Sequence, residues 1–223
     1  MNFNWKLGET VCNDWTWDEI QNCNPKATSW DWERIREGKL YSLPEQCVKV
    51  LILGSPEVGK STLLWSYFDE CDGPTASITD CYDNCELHMH NIEENGVNIR
   101  VYFCDTSRVE NFLQLDEDVY RGTSVIIYCY AIIDSESMND LLVSWIPLSR
   151  HFLGNVPSIL VGNMIDLRDN DEFNGMRLIT TEVGEYVKNV CSINRFYECS
   201  IEDGDTPQDI FKTALRLALN MES

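Results

Sequence analysis

The sequence predicts an α/β fold: a mostly parallel sheet of about six strands, one of them antiparallel, with helices on both faces. Three observations predict it. From Val48 onward, short β-branched and aromatic runs alternate with amphipathic stretches, the pattern of strands joined by crossover helices. A glycine-rich turn, LILGSPEVGKST, leads directly from one apolar run into a helical stretch. Between Leu87 and Cys104 the turn EENG reads as a hairpin, which reverses one strand.

In order, the candidate strands are Val48–Leu53, Leu87–Ile92, Ile99–Cys104, Val125–Ala131, Ser158–Val161 and Phe196–Cys199. Helices are expected after Gly59, after Ser137 with Asp140 at capping-box spacing, and after Thr206, where Pro207 takes the first helical position. In the second of these, Leu141, Trp145, Leu148 and Phe152 repeat at helical spacing and read as a core stripe.

Residues 1–46 differ in kind and are expected to form a Trp-rich extension to a domain spanning 47–223. They hold five of the seven tryptophans with few aliphatic residues around them. W-T-W-D-E-I at Trp15–Ile20 returns as W-D-W-E-R-I at Trp30–Ile35, each copy with a helix start, Thr16 with Glu19 and Thr28 with Asp31. Such a segment either packs back on the domain as an extra layer or offers tryptophans to a protein partner.

Composition narrows the function. Asp and Glu number 37 against 17 Lys and Arg, a formal charge of -20, so nucleic acid and anionic membranes are both repelled. The N-terminus lacks a signal-peptide pattern, and no long apolar run marks a membrane span, which predicts a cytoplasmic protein. The chain ends in NMES and has Asn2, with neither a C-a-a-X box nor a myristoylation pattern. No direct lipid anchor is expected, and any membrane location would come through a partner. Most of the ten cysteines, Cys104, Cys129 and Cys199 among them, lie in or beside apolar runs and read as reduced, buried thiols.

The strongest motif is Gly54, four residues (Ser55, Pro56, Glu57, Val58), then Gly59, Lys60 and Ser61, completing G-x-x-x-x-G-K-[ST] with Thr62 following. Backbone N–H groups of such a loop face phosphate oxygens, the helix N-terminus adds its dipole, Lys60 neutralises β and γ phosphates, and Ser61 ligates Mg²⁺. Asp105 closes the strand VYFCD, where a carboxylate holds the Mg²⁺ shell beside such a loop. The alternative for Asp105 is a helix N-cap.

Further along, ILVGNMIDLR places Asn163 and Asp166 after another strand, and FYECSIE places Ser200 and Ile201 after the last. With SWIPLSRHFLGNVPSILVGNMIDLR and YECS, these motifs resemble the Ras superfamily of small GTPases, the Rho branch in particular, over about Val48 to Met221. The resemblance implies a P-loop NTPase small G domain that binds GTP or GDP with Mg²⁺ and meets protein effectors and regulators through two switch regions. By the same resemblance, Thr79, nineteen positions after Lys60, is the switch I threonine that joins Ser61 and Asp105 around Mg²⁺. Tyr82, Asp83 and Asn84 look like the effector-binding stretch. Asp166 would read guanine N1 and N2, Asn163 would brace the P-loop, and the backbone at Ser200–Ile201 would face guanine O6.

Departures cluster where the family hydrolyses GTP. D-T-A-G-Q-E is D-T-S-R-V-E here, so Arg108 replaces a glycine and Val109 replaces the glutamine that orients the attacking water. Weak or absent hydrolysis is expected. Arg108 as an internal arginine finger stands against Arg108 as a surface residue of switch II. Pro56 removes an N–H from the P-loop and Glu57 adds negative charge, Met164 replaces the lysine of N-K-x-D, and Asp72 takes the place of an aromatic beside guanine. A pseudo-GTPase scaffold without nucleotide switching is the competing reading. Finally, Cys81, Cys85, His88 and His90 are dense enough to weigh zinc against half-buried thiols and solvated strand histidines.

Overall fold

The computed structural model describes residues 3–7, 10–15, 46–69, 75–82, 85–94, 96–170, 177–200 and 205–220. Strands β1 (Phe3–Leu7) and β2 (Thr10–Trp15) pair as an antiparallel ribbon. The helix starts expected at Thr16 and Thr28 lie outside the described residues.

The main sheet contains all six expected strands. They are β3 (Gln46–Leu53), β5 (Cys85–Glu94), β6 (Val97–Asp105), β7 (Val125–Ala131), β8 (Ser158–Asn163) and β9 (Arg195–Cys199). A further strand, β4 (Thr75–Tyr82), adds to the edge, giving the order β4-β5-β6-β3-β7-β8-β9. Only β5 runs against the rest, antiparallel to both β4 and β6. The hairpin to β6 turns at Gly96, whose φ of +78° suits a residue without Cβ.

Alternation along the strands splits the core into two layers. Leu51 and Leu53 of β3 join Tyr102, Cys104, Leu141, Trp145 and Val187 on one face. Val50 and Ile52 join Phe103, Leu63, Leu64, Phe211 and Leu215 on the other. Helices α1 (Lys60–Asp69) and α6 (Asp205–Ala218) thus cover one face. The opposite face carries α5 (Thr181–Val190) and an interrupted helix made of α3 (Ser135–Asp140), a π turn (Leu141–Trp145) and α4 (Ile146–Leu153). Between β6 and β7 lies one short turn of helix, α2 (Glu117–Tyr120).

The interruption has a local cause. Pro147 has no N–H and its ring crowds the carbonyl four residues back, so an unbroken α ladder is unfavourable there. Just before it, the Ile146 N–H bonds Leu141 O, five residues back, and the π turn absorbs the misfit. The cap also differs from expectation: Asp134, not Ser137, starts α3 and accepts from the Glu136 N–H at 2.9 Å. Ser137 is buried inside, donating to Asp134 O at 2.7 Å. Of the expected stripe, Leu141 and Trp145 are buried, while Phe152 is largely exposed and stacks on Phe112 at 5.7 Å. Cys104, Cys129 and Cys199 are buried free thiols, as expected, whereas Cys47 at the start of β3 is disulfide-bonded. Among the described residues no helix is long and apolar enough to cross a membrane.

Candidate functional site

Because β3 has β6 on one side and β7 on the other, the chain diverges at its C-terminal end, the place where open α/β sheets hold ligands. The turn Gly54–Gly59 occupies that place and runs into α1. A Cβ at Gly54 would stand 2.2 Å from the carbonyl oxygen of Cys129, so only glycine lets the loop pass β7. Gly59, at φ +87°, lies close against the Asn163 side chain, whose Nδ2 donates to Val58 O at 2.8 Å. The end of β8 thereby braces the loop.

Lys60 is only 2% exposed and folds back over its own turn, its ammonium donating to Gly54 O at 2.8 Å and Ser55 O at 2.6 Å. Burial pushes its pKa down, and the neighbouring Cys129 and Asp105 pull it back up. The Cys129 thiol is itself pushed up to about 12 by burial and is neutral at ordinary pH, leaving Asp105 as the anion acting on Lys60. Ser55 donates to Asp140 Oδ2 at 2.8 Å, tying the loop to α3. Pro56 and Glu57 are exposed, with Glu57 in the left-handed region at φ +63°; Val58 is buried, Ser61 half-buried and Thr62 exposed.

Asp105 sits beside Ile52 in the β3–β6 register and is 1% exposed. Neither of its carboxylate oxygens has a hydrogen-bond partner. Burial pushes its pKa up; the Ser61 hydroxyl, close by but outside hydrogen-bond geometry, favours the charged form, as do Lys60 and His88. Two orphaned oxygens on a buried carboxylate are costly unless a cation or donor joins them. A hydroxyl and a carboxylate together suit a hard dication such as Mg²⁺.

The segment after Asp105 is built for packing. Thr106 is buried and donates to Ile52 O at 2.6 Å, and the Val109 N–H closes a turn onto Thr106 O at 3.1 Å. Val109 is 0% exposed and joins Phe112, Leu115 and Val119 in the core. Arg108 is 65% exposed and reaches sideways to Glu86 Oε1 on β5 at 2.5 Å. Its guanidinium is thus engaged by a β5 carboxylate at the surface.

At the C-terminal end of β8, Met164 takes φ +68°, and its side chain approaches Gly59. Asp166 is exposed in the 3-10 turn Ile165–Asp169, and Ser200 is buried after β9. Ile201 lies outside the described residues. The two loops are fastened by Arg168, whose Nη1 and Nη2 grip both carboxylate oxygens of Glu198 at 3.0 and 2.5 Å while Thr181 donates to Glu198 at 2.8 Å. Burial alone would raise the Glu198 pKa, but these hydrogen bonds win and hold it low. Arg168 and Glu198 lie two residues from Asp166 and Ser200, inside motifs read for their ligand groups alone; the opposite charges were the available signal.

Thr79 lies on the backbone of β4, where the pairing with β5 becomes irregular between Ile78 and Tyr82. Asp72, Asp83 and Asn84 lie outside the described residues, as does the side chain of Cys81. The weighed zinc set does not assemble among its described members. Cys85 packs with Leu87 and Cys104 on one face, while His88 and His90 turn to the opposite face and lie against Phe68. The histidines are not solvated, at 1% and 2% exposed, because Trp65, Tyr67 and Phe68 of α1 cover them.

A Ras family model matches residues 49–220, most of the chain. The chain belongs to the Ras family. This Ras family domain is accordingly a small GTPase fold whose general character is nucleotide binding and switching, and its phosphate loop and the loops after β8 and β9 lie at the same end of the sheet.

Proposed function

We propose that this Ras family protein is a Rho-like switch that binds GTP or GDP with Mg²⁺, hydrolyses GTP weakly or not at all, and engages effectors and regulators through its switch regions. The orphaned buried carboxylate of Asp105 beside the P-loop carries the reading. Ser61 and Thr79 directly, and Asp105 through a water, would hold Mg²⁺, which when bound offsets phosphate charge. Ser55 to Thr62 would surround the phosphates, with Lys60 as their buried cation. Asn163 keeps the loop in shape, while Asp166, Ser200 and Ile201 would select guanine. At the position of the water-orienting glutamine, Val109 offers neither donor nor acceptor and points into the core.

The protein is taken to comprise an extension over 1–46 and a G domain over 47–223, with the tryptophans of the extension either packed back on that domain or offered to a protein partner, and to work in the cytoplasm. One observation favours the second reading, a scaffold without switching: the buried Val109 and the Arg108–Glu86 pair both fasten the segment after Asp105 to the sheet.

Single-turnover hydrolysis of labelled GTP on the full-length protein separates the possibilities. Saturable, chelator-sensitive GTP binding with a rate at or below about 10⁻⁴ s⁻¹ is expected. A rate at or above that of ordinary unassisted members contradicts the impaired-hydrolysis part. Absence of saturable binding leaves the scaffold.

A further inference from the structure

A cluster on the α1 face of the sheet shares Asp105 with the nucleotide reading and adds Glu86 and His88, which that reading does not use. Glu86, His88 and Asp105 each present a ligand atom, and the three atoms lie within 4.8 Å of one another. The sheet makes this happen: Glu86 pairs with Asp105 and His88 with Phe103 across the β5–β6 ladder, so all three side chains leave on the same face. His88 Nε2 stands 3.8 Å from Glu86 Oε2. Ligands at normal bond lengths around one metal ion are separated by about 3–3.6 Å, so side-chain shifts of under about 1 Å would bring these atoms into a single shell.

We propose that Glu86, His88 and Asp105 form a binding site for a divalent first-row transition metal of the manganese-to-zinc series. One imidazole with two carboxylates is a borderline donor set, which suits those ions better than Mg²⁺, an ion that prefers oxygen ligands and keeps its waters. The site is built rather than incidental. His88 and Asp105 are 1% exposed each, and both oxygens of Asp105 are orphaned. Trp65 and Phe68 wall the imidazole at ring distances of 5.2 and 5.8 Å, which excludes water from one side. Glu86 Oε1 is oriented by Arg108, an outer partner that leaves Oε2 for the metal. This set differs from the zinc constellation weighed in the sequence, since Cys85 faces the other layer.

The probe is Mn²⁺ added to chelator-dialysed full-length protein, read by titration and by pulsed electron paramagnetic resonance for imidazole nitrogen coupling. It is run with and without GDP, so a protein that binds no nucleotide still tests the site. Expected are one tight Mn²⁺ without GDP, nitrogen coupling in the parent, and loss of that coupling in His88→Phe, which keeps a ring against Trp65 and Phe68. Glu86→Gln, at a partly exposed position, should weaken Mn²⁺ binding about ten-fold or more, and it decides the matter if His88→Phe does not fold. Ser61→Ala should leave the nitrogen coupling in place. Absence of the coupling in the parent, its persistence in His88→Phe, unchanged affinity in Glu86→Gln, or its loss in Ser61→Ala each overturns the site.

Discussion

Two neighbouring regions of this Ras family domain treat their polar groups in opposite ways. Around the phosphate loop, groups are held ready for something else: Lys60 is buried on backbone carbonyls and Asp105 is buried with neither carboxylate oxygen hydrogen-bonded. In the segment that follows Asp105, every conspicuous side chain is spent on the protein itself. Val109, Phe112, Leu115 and Val119 enter the core, Thr106 bonds β3, and Arg108 pairs with Glu86. On the reading proposed above, Val109 serves packing at a position where chemistry would otherwise be sited, and a glutamine put back there would meet a core and not a water.

The largest effect that sharpens this contrast belongs to the loop. Gly54→Ala places a methyl against a backbone carbonyl that cannot rotate away, and urea unfolding should show a loss of about 3 kcal/mol, with nucleotide binding abolished. Next comes the packed segment. Val109→Gln buries an amide among apolar side chains and should cost about 2 kcal/mol with no gain in hydrolysis; a faster single-turnover rate would show that the residue still faces the nucleotide.

Glu198→Gln weakens the two-pronged grip of Arg168 between the base-side loops. It should cost about 1–2 kcal/mol in denaturant and speed nucleotide release, seen as faster loss of a fluorescent guanine nucleotide. Smallest is Arg108→Ala, the removal of an exposed ion pair, at no more than about 0.5 kcal/mol. Hydrolysis should be unchanged, and a slower rate would make Arg108 an internal finger after all.

What could be read beforehand follows from how far each signal reaches along the chain. The strands of the sheet interior are apolar runs enforced by burial on both faces, and β7 shows it, with every residue buried. The P-loop is legible because its glycines and lysine are needed within one turn. β4 was missed because an edge strand pairs on one side only, so TASITDCY carries no such apolar run and reads as a loop. The burial of His88 and His90 is not legible locally, because the aromatic residues that cover them lie twenty or more positions earlier, on α1. Val109 was read as a missing glutamine, which is a local fact; that it fills the core beneath α3 and α4 is a tertiary one. The start of α3 lies three residues earlier than expected because Asp134 and Ser137 are both good caps, and the burial of Ser137 settles between them.

The central claim is that the loop side holds nucleotide while the packed side cannot spend it. It is tested most directly by denaturing the full-length protein as purified, without added nucleotide, and identifying the small molecules released by chromatography. Near-stoichiometric GTP is the predicted result. GDP as the main species would mean that the segment after Asp105 still supports turnover, and protein free of either nucleotide would mean that the loop side does not hold one.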